Sequence, residues 1–261
     1  MIEGIQKPDS GEILITGKKW KGNEDELHQI IGLSLQETHF IEKLRVVETL
    51  KLFASFYKLQ DQRVEEIIEL IGLQEKRKAF TVNLSGGQKQ RLALGIALMN
   101  NPKIILLDEP TTGLDPNARR EIWSILYQLK EKAQTSVILT THYMEEAEKL
   151  CDRIIIMDHG KILNEGSLNE LLYVADNEKI IEFTLENSIS EFPVSKSDSE
   201  FQIKWDSKAE KGSLTLLNFE NDLPRFFAFL EKENLKLKSF EFRKKTLDDL
   251  FINLTGRHLN D

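Results

Sequence analysis

A single cysteine, Cys151, leaves no partner for a disulfide within the 261 residues, so the chain is not one of the small cross-linked extracellular scaffolds. Long apolar runs are missing as well, and none approaches the ~20 residues that cross a bilayer. The opening Met1-Ile2-Glu3-Gly4 lacks the basic and then long apolar pattern of a secretory signal, and a reducing, cytoplasmic setting is the expectation. Excess positive charge is also absent. A formal charge of -8 with a pI near 5.4 argues against a broad nucleic-acid footprint, which needs clustered cations on one face. What remains is a chain 40% hydrophobic and 30% charged, enough for one large core or for a large and a small one.

Periodicity then orders the chain. Pro8-Asp9-Ser10-Gly11 has turn composition and predicts a strand over Glu12–Thr16, where apolar residues alternate. Glu24–Ile30 reads as a short helix, followed by a strand from Ile31 that ends at Gln36. Apolar residues three and four apart make Val46–Leu59 and Arg63–Ile71 two amphipathic helices, a helical insertion. A further helix follows Ser85, and then come the strand Ile104–Leu107, a helix from about Asn117 to Ala133, the strand Ser136–Thr140 and the helix Tyr143–Leu150. Asp158-His159-Gly160 turns a β-hairpin between Arg153–Met157 and Lys161–Leu163. Strands alternating with helices predict an α/β domain with a mostly parallel sheet.

Composition shifts near Asp176, which places a boundary between a domain over 1–175 and a smaller α+β domain over 176–261. The second is expected to hold strands at 180–185, 201–205, 213–217 and 238–243 and helices at 223–233 and 246–254. Its phenylalanines Phe226, Phe227, Phe229, Phe240 and Phe242 are assigned to core packing in preference to a base-stacking surface.

Two short motifs and two single residues carry chemistry. Ser85-Gly86-Gly87-Gln88 precedes a helix, where unpaired amides and the positive dipole end favour a phosphate and missing side chains admit close approach; a plain helix cap is the bland alternative. Asp108-Glu109 follows a buried strand at the end where open α/β sheets bind ligands, so one acid can hold a divalent ion while the other orients or deprotonates water. An acidic pair can also be solvated punctuation, but the apolar strand and the upstream glycines favour a site. His142 sits two residues past a strand at the same sheet end, within reach of a γ-phosphate, and the neutral amide of Gln36 can join a Mg²⁺ shell.

Taken together these residues resemble the ATP-binding subunits of ATP-binding cassette (ABC) transporters. Gln36 resembles the family's Q-loop glutamine, Leu84–Gln88 its signature motif, and Ile104–Asp108 its Walker B strand with Glu109 as catalytic glutamate. Gly113-Leu114-Asp115 resembles the D-loop and His142 the switch histidine. The order and spacing match over about residues 1–172, and the end of the chain, Thr246–Phe251 and Leu254-Thr255-Gly256, resembles subunits of ABC-2 type and drug exporters.

The resemblance implies an ABC-type P-loop NTPase core at the inner face of the cell membrane. It implies ATP and Mg²⁺ as cofactors, and as partners a membrane permease and a second ATP-binding subunit, with no nucleic acid. Ser85–Gln88 and Asp115 would then bind nucleotide, Asp108 and Gln36 would attend the metal, and Glu109 and His142 would be catalytic. One family motif has no counterpart: no Gly-x-x-x-x-Gly-Lys-Ser/Thr phosphate loop occurs, and Lys7, Lys18 and Lys19 sit in no glycine-rich loop opening a helix. The expectation is an internal methionine recorded as the start, and weak or no ATPase activity for the chain alone. Alternatives are a non-catalytic partner lending its signature motif to a complete subunit, and a soluble ABC protein of translation or repair.

Overall fold

The computed structural model describes residues 1–132, 135–172, 179–186, 203–206, 210–216 and 218–256. They fall into two compact units, Met1–His142 and Tyr143–Asp261. The boundary expected at 175/176 lies inside the second of these.

The first unit is built on a parallel sheet of β1 (Ile31–Ser34), β2 (Ile104–Asp108) and β3 (Ser136–Thr140), in that spatial order. Central β2 buries Ile105, Leu106 and Leu107, which explains its continuous apolar run, since a strand covered on both faces needs no alternation. Among the described residues β3 has no strand on its outer edge, and Ile138 is 48% exposed there. Helix α1 (Glu24–Ile30) feeds β1 directly. Gly32 of β1 is obligatory: a Cβ there would stand 2.0 Å from the carbonyl oxygen of Ala97.

The helical insertion is α2 (Val46–Phe56) and α3 (Asp61–Leu70), whose Val46, Leu50, Val64 and Ile67 are buried. Two arginines tie it to α4 (Gly86–Ala97). Arg63 of α3 donates Nε and Nη2 to the carbonyls of Met99 and Leu98, and Arg91 of α4 donates Nη1 to those of Ile71 and Gly72. Each pair satisfies helix-terminal carbonyls that lack an intrahelical donor. Helix α5 (Pro116–Lys132) completes the unit.

The strand expected over Glu12–Thr16 does not form. Thr16 and Gly17 both take positive φ, 49° and 80°, making a two-residue turn that closes the single bridge Ile15–Lys18, with no ladder beyond it. Alternation alone cannot supply a neighbouring strand, and Glu12–Leu14 has none.

In the second unit α6 (Met144–Leu150), the hairpin β4 (Ile154–Asp158) and β5 (Lys161–Gly166), and α7 (Leu168–Leu171) enclose one core. Positive φ at His159 and Gly160, 45° and 73°, gives the hairpin turn the twist its strands require. A second core lies in an antiparallel sheet of β6 (Lys179–Leu185), β7 (Ile203–Asp206), β8 (Lys211–Leu216) and β9 (Leu237–Arg243), ordered β7-β8-β6-β9. Helix α8 (Phe219–Lys232) covers its apolar face, and α9 (Leu247–Thr255) belongs to the hairpin core. Residues 201, 202 and 217 of the expected strands, and Ala133 of an expected helix, lie outside the described residues.

The phenylalanine assignment holds for Phe226, fully buried, and for Phe229 and Phe240, packed against the same core. Phe227 and Phe242 remain 43% and 45% exposed. One residue along a helix turns a side chain by about 100°, so Phe227 cannot share the face of Phe226; it meets Phe240 instead, at 5.6 Å between ring centroids. The described residues form a mixed α/β protein with a parallel sheet and separate antiparallel sheets.

Candidate functional site at the carboxyl rim of the parallel sheet

Three parallel strands end side by side, and each delivers one of the expected site residues just past its last position. Gln36 follows β1, Glu109 follows β2 and His142 follows β3, while Asp108 closes β2 in register with Thr140. This is the rim where helix dipoles and loop amides face a ligand in open α/β sheets. All three loop side chains meet at one atom. Glu109 Oε2 accepts from Gln36 Nε2 at 3.0 Å and from the Thr112 hydroxyl at 2.8 Å, and it lies 3.1 Å from His142 Nδ1.

The backbone of Glu109 is held as firmly as its side chain. Its φ is +44°, a left-handed conformation that a side-chain-bearing residue adopts at a cost of about 1 kcal/mol or more. Its amide donates to the carbonyl and hydroxyl oxygens of Thr140, both at 3.1 Å, and the carbonyl of Glu109 accepts from Thr112 N at 3.2 Å. The same Thr140 hydroxyl donates to Asp108 Oδ1 at 2.5 Å. Thr140 thus sets both acids of the pair, and Thr112 braces the second. Sequence reasoning passed over both threonines. The signal was available for Thr140, a polar residue closing an apolar strand beside Asp108; Thr112 carried none.

The other expected residues form a separate group at the start of α4. Ser85 is its N-cap, with Oγ accepting from Gln88 N at 3.3 Å and Gln88 Oε1 accepting from Ser85 N at 3.1 Å, a reciprocal capping box. The bland capping role is therefore present, and Gly86 and Gly87 open the helix as first-turn amides, the kind that bind anions. Gly87 packs on α5, where an added Cβ would lie 2.7 Å from the Cβ of Ala118; at Gly86 it would meet only Leu114 Cδ2, at 3.7 Å. Asp115 caps α5, its Oδ1 accepting from Asn117 N at 2.9 Å and Ala118 N at 3.0 Å. The signature turn and the Leu114–Ala118 segment are thus one packed body.

Asp108 offers a carboxylate and Gln36 an amide oxygen, both hard donors suited to Mg²⁺. Among the described residues no three His, Cys, Asp or Glu side chains form a metal cage. An ion carried by ATP needs only one or two protein oxygens, with phosphates and waters completing its shell, and this donor set fits it. No described helix is long and apolar enough to cross a membrane.

Comparison with known proteins identifies the family. The ABC transporter family matches residues 1–112. The linearmycin resistance ATP-binding protein LnrL of Bacillus subtilis (strain 168) is 33% identical over 100% of this chain and 86% of its own length. Nod factor export ATP-binding protein I of Rhizobium sp. (strain N33) is 33% identical over 99% of the chain and 83% of its length. Among solved structures, cbiO1 from Clostridium perfringens, part of the complex cbiONQ, superposes with a TM-score of 0.60 at 29% identity, covering 66% of this chain and 72% of that one. A dimeric ATP-binding cassette in a post-hydrolysis state bound to ADP and Pi gives 0.56 at 31% identity, covering 64% and 77%. Such identity along essentially the whole chain, with the rim motifs in order, makes this protein a member of the ABC transporter family, one of its ATP-binding subunits.

Proposed function

We propose that this chain is the ATP-binding subunit of an exporter, coupling ATP binding and hydrolysis to transport through a separate membrane permease. The observation that carries the proposal is the convergence of Gln36, Thr112 and His142 on Glu109 Oε2. With Gln36, Thr112 and His142 gathered around Oε2, the other oxygen, Oε1, is the one to take a proton from water attacking the γ-phosphorus as the bond to ADP breaks. His142 donates Nε2–H to a γ-phosphate oxygen. Asp108 and Gln36 would hold Mg²⁺, which would supply charge neutralisation at the phosphates. Ser85, Gly86, Gly87, Gln88 and Asp115 attend nucleotide held by a second ATP-binding subunit.

Export is supported by the relatives named for Nod factor export and linearmycin resistance, and a two-cassette assembly by the dimeric structure. Exposed apolar residues around the insertion, Phe56 at 67% with Ile41, Leu35 and Phe80, support docking of the permease there, at the inner face of the membrane. We further propose that the 261 residues by themselves hydrolyse ATP weakly or not at all, because they contain no phosphate loop. A second reading is a non-catalytic partner that lends only its signature motif.

The test is ATPase activity of the complex isolated from membranes with its permease. Ser85→Arg and Glu109→Gln are each expected to depress turnover, and Phe56→Asp to weaken retention of the permease. Loss with Ser85→Arg alone would establish the non-catalytic partner; isolation with ribosomes and no permease would overturn the transport function.

A further inference from the structure

His142 is followed at once by Tyr143, the N-cap of α6, so whatever grips α6 grips the segment that presents the histidine. The grip comes from the far end of the chain. Leu247, Leu250 and Phe251 of α9 share a core with Ala147, with Met144 and Cys151 packed against it. The first amide of α9, Leu247 N, donates to Glu148 Oε1 of α6 at 2.7 Å, across 99 residues of sequence. Helix α9 is in turn fixed to the appended sheet by charge. Arg243 of β9 grips both carboxylate oxygens of Asp249, at 2.5 and 2.8 Å, and its Nε reaches Glu182 of β6 at 2.5 Å. Lys211 of β8 pairs with the same Glu182, and Lys204 of β7 donates to Asn253 at 3.1 Å.

Asp249 does double duty. It accepts from Thr246 N at 2.9 Å, closing the first turn of α9 whose next amide is the one held by Glu148. Burial opposes its ionisation, but the bonds from Arg243 and Thr246 outweigh burial and lower its pKa, so the carboxylate stays charged. A continuous polar path therefore runs Glu182, Arg243, Asp249, the α9 start, Glu148 and α6, and ends at the residue after His142.

We propose that the appended sheet regulates hydrolysis through this path, with Glu148 acting as a positioning residue for His142. The path has two kinds of joint. On the hairpin side α9 is seated by apolar burial, while on the sheet side it is held by ion pairs on a half-buried surface, so a change at the sheet moves α9 against a fixed hydrophobic seat. Such a movement reaches α6 through the bond from Leu247 N to Glu148 and tilts the loop that carries the imidazole. A purely mechanical role for α9, holding the sheet in place, needs no bond to α6 beyond the apolar contact. The proposal rests on the assignment of His142 to the γ-phosphate.

The experiment uses the assembled transporter, with ATP turnover and amide hydrogen exchange measured on Glu148→Met, Arg243→Lys and Glu109→Gln. Glu148→Met, which keeps the side chain's length but offers no acceptor to Leu247 N, is expected to lower kcat about tenfold with KM for ATP within about twofold, and to speed exchange over 143–147 by a similar factor. Arg243→Lys, which keeps charge but loses the two-pronged grip, is expected to do the same more weakly. Unchanged kcat, with faster exchange confined to 246–256, would overturn the proposal and leave the site assignment standing. Unchanged kcat in Glu109→Gln would instead remove the site assignment, and the proposal with it.

Discussion

Two adjacent glycines, Gly86 and Gly87, are expected to answer the same substitution in opposite ways. Alanine at either gains helix propensity, at most ~1 kcal/mol and less in a first turn, where the amide has no intrahelical partner. At Gly86 nothing opposes the gain, because the new methyl would meet Leu114 at an ordinary 3.7 Å. At Gly87 it would sit 2.7 Å from the Cβ of Ala118, whereas carbon contacts settle at about 3.5–4.0 Å, so α4 has to withdraw from α5 by roughly 1 Å. Overpacking of this kind costs about 1–3 kcal/mol, which leaves a net loss of about 1–2 kcal/mol. For a unit of this size that is roughly 3–8 °C in Tm. The assay is calorimetric melting of wild type, Gly86→Ala and Gly87→Ala side by side. Gly87→Ala melting at or above wild type would refute the close packing of α4 on α5.

Three further outcomes follow from the same contacts. Phe226→Ala empties the centre of the appended core and is expected to cost about 3–5 kcal/mol in denaturant titrations followed by tryptophan fluorescence at Trp205, which packs against it. The pKa values of Glu182 and Asp249 are lowered from 4.5 and 3.8, mainly by bonds from Lys211 and Arg243 against the pull of burial. Their stabilisation is thus complete above those ordinary values and lost as pH falls through the lower folded ones, so the second unit weakens in acid below about pH 4.5. Arg243→Ala is expected to flatten that acid limb in pH-dependent melting. Arg63→Ala takes the guanidinium from the carbonyls of Met99 and Leu98, the latter keeping Asn101 N at 3.1 Å, and is expected to cost about 1–3 kcal/mol, read from urea midpoints.

Most elements were legible because their pattern was set locally or by full burial. The run Ile104–Leu107 declared a central strand, and the spacing of Leu50, Phe53 and Phe56 declared α2. Helix α8 begins four residues before the expected Leu223, because Pro224 reads as a first-turn residue yet lies inside the helix; burial of Phe226 and Leu230 outweighs its missing amide bond. Asp108, Glu109 and His142 could be named from strand ends read together with the upstream glycine motif, and Gln36 only in their company. Their meeting on a single carboxylate oxygen could not, since it depends on the parallel register of three strands and on the left-handed turn at Glu109.

The central claim is that Glu109 is the proton acceptor for water at this rim. The measurement that reaches it most directly is single-turnover ATP hydrolysis by the assembled transporter carrying Glu109→Gln, with ATP binding measured at equilibrium on the same preparation. The amide still accepts from Thr112 and Gln36 but takes no proton, so hydrolysis is expected to fall by about 10²–10⁴ with ATP affinity nearly unchanged. Hydrolysis at the wild-type rate would contradict the account.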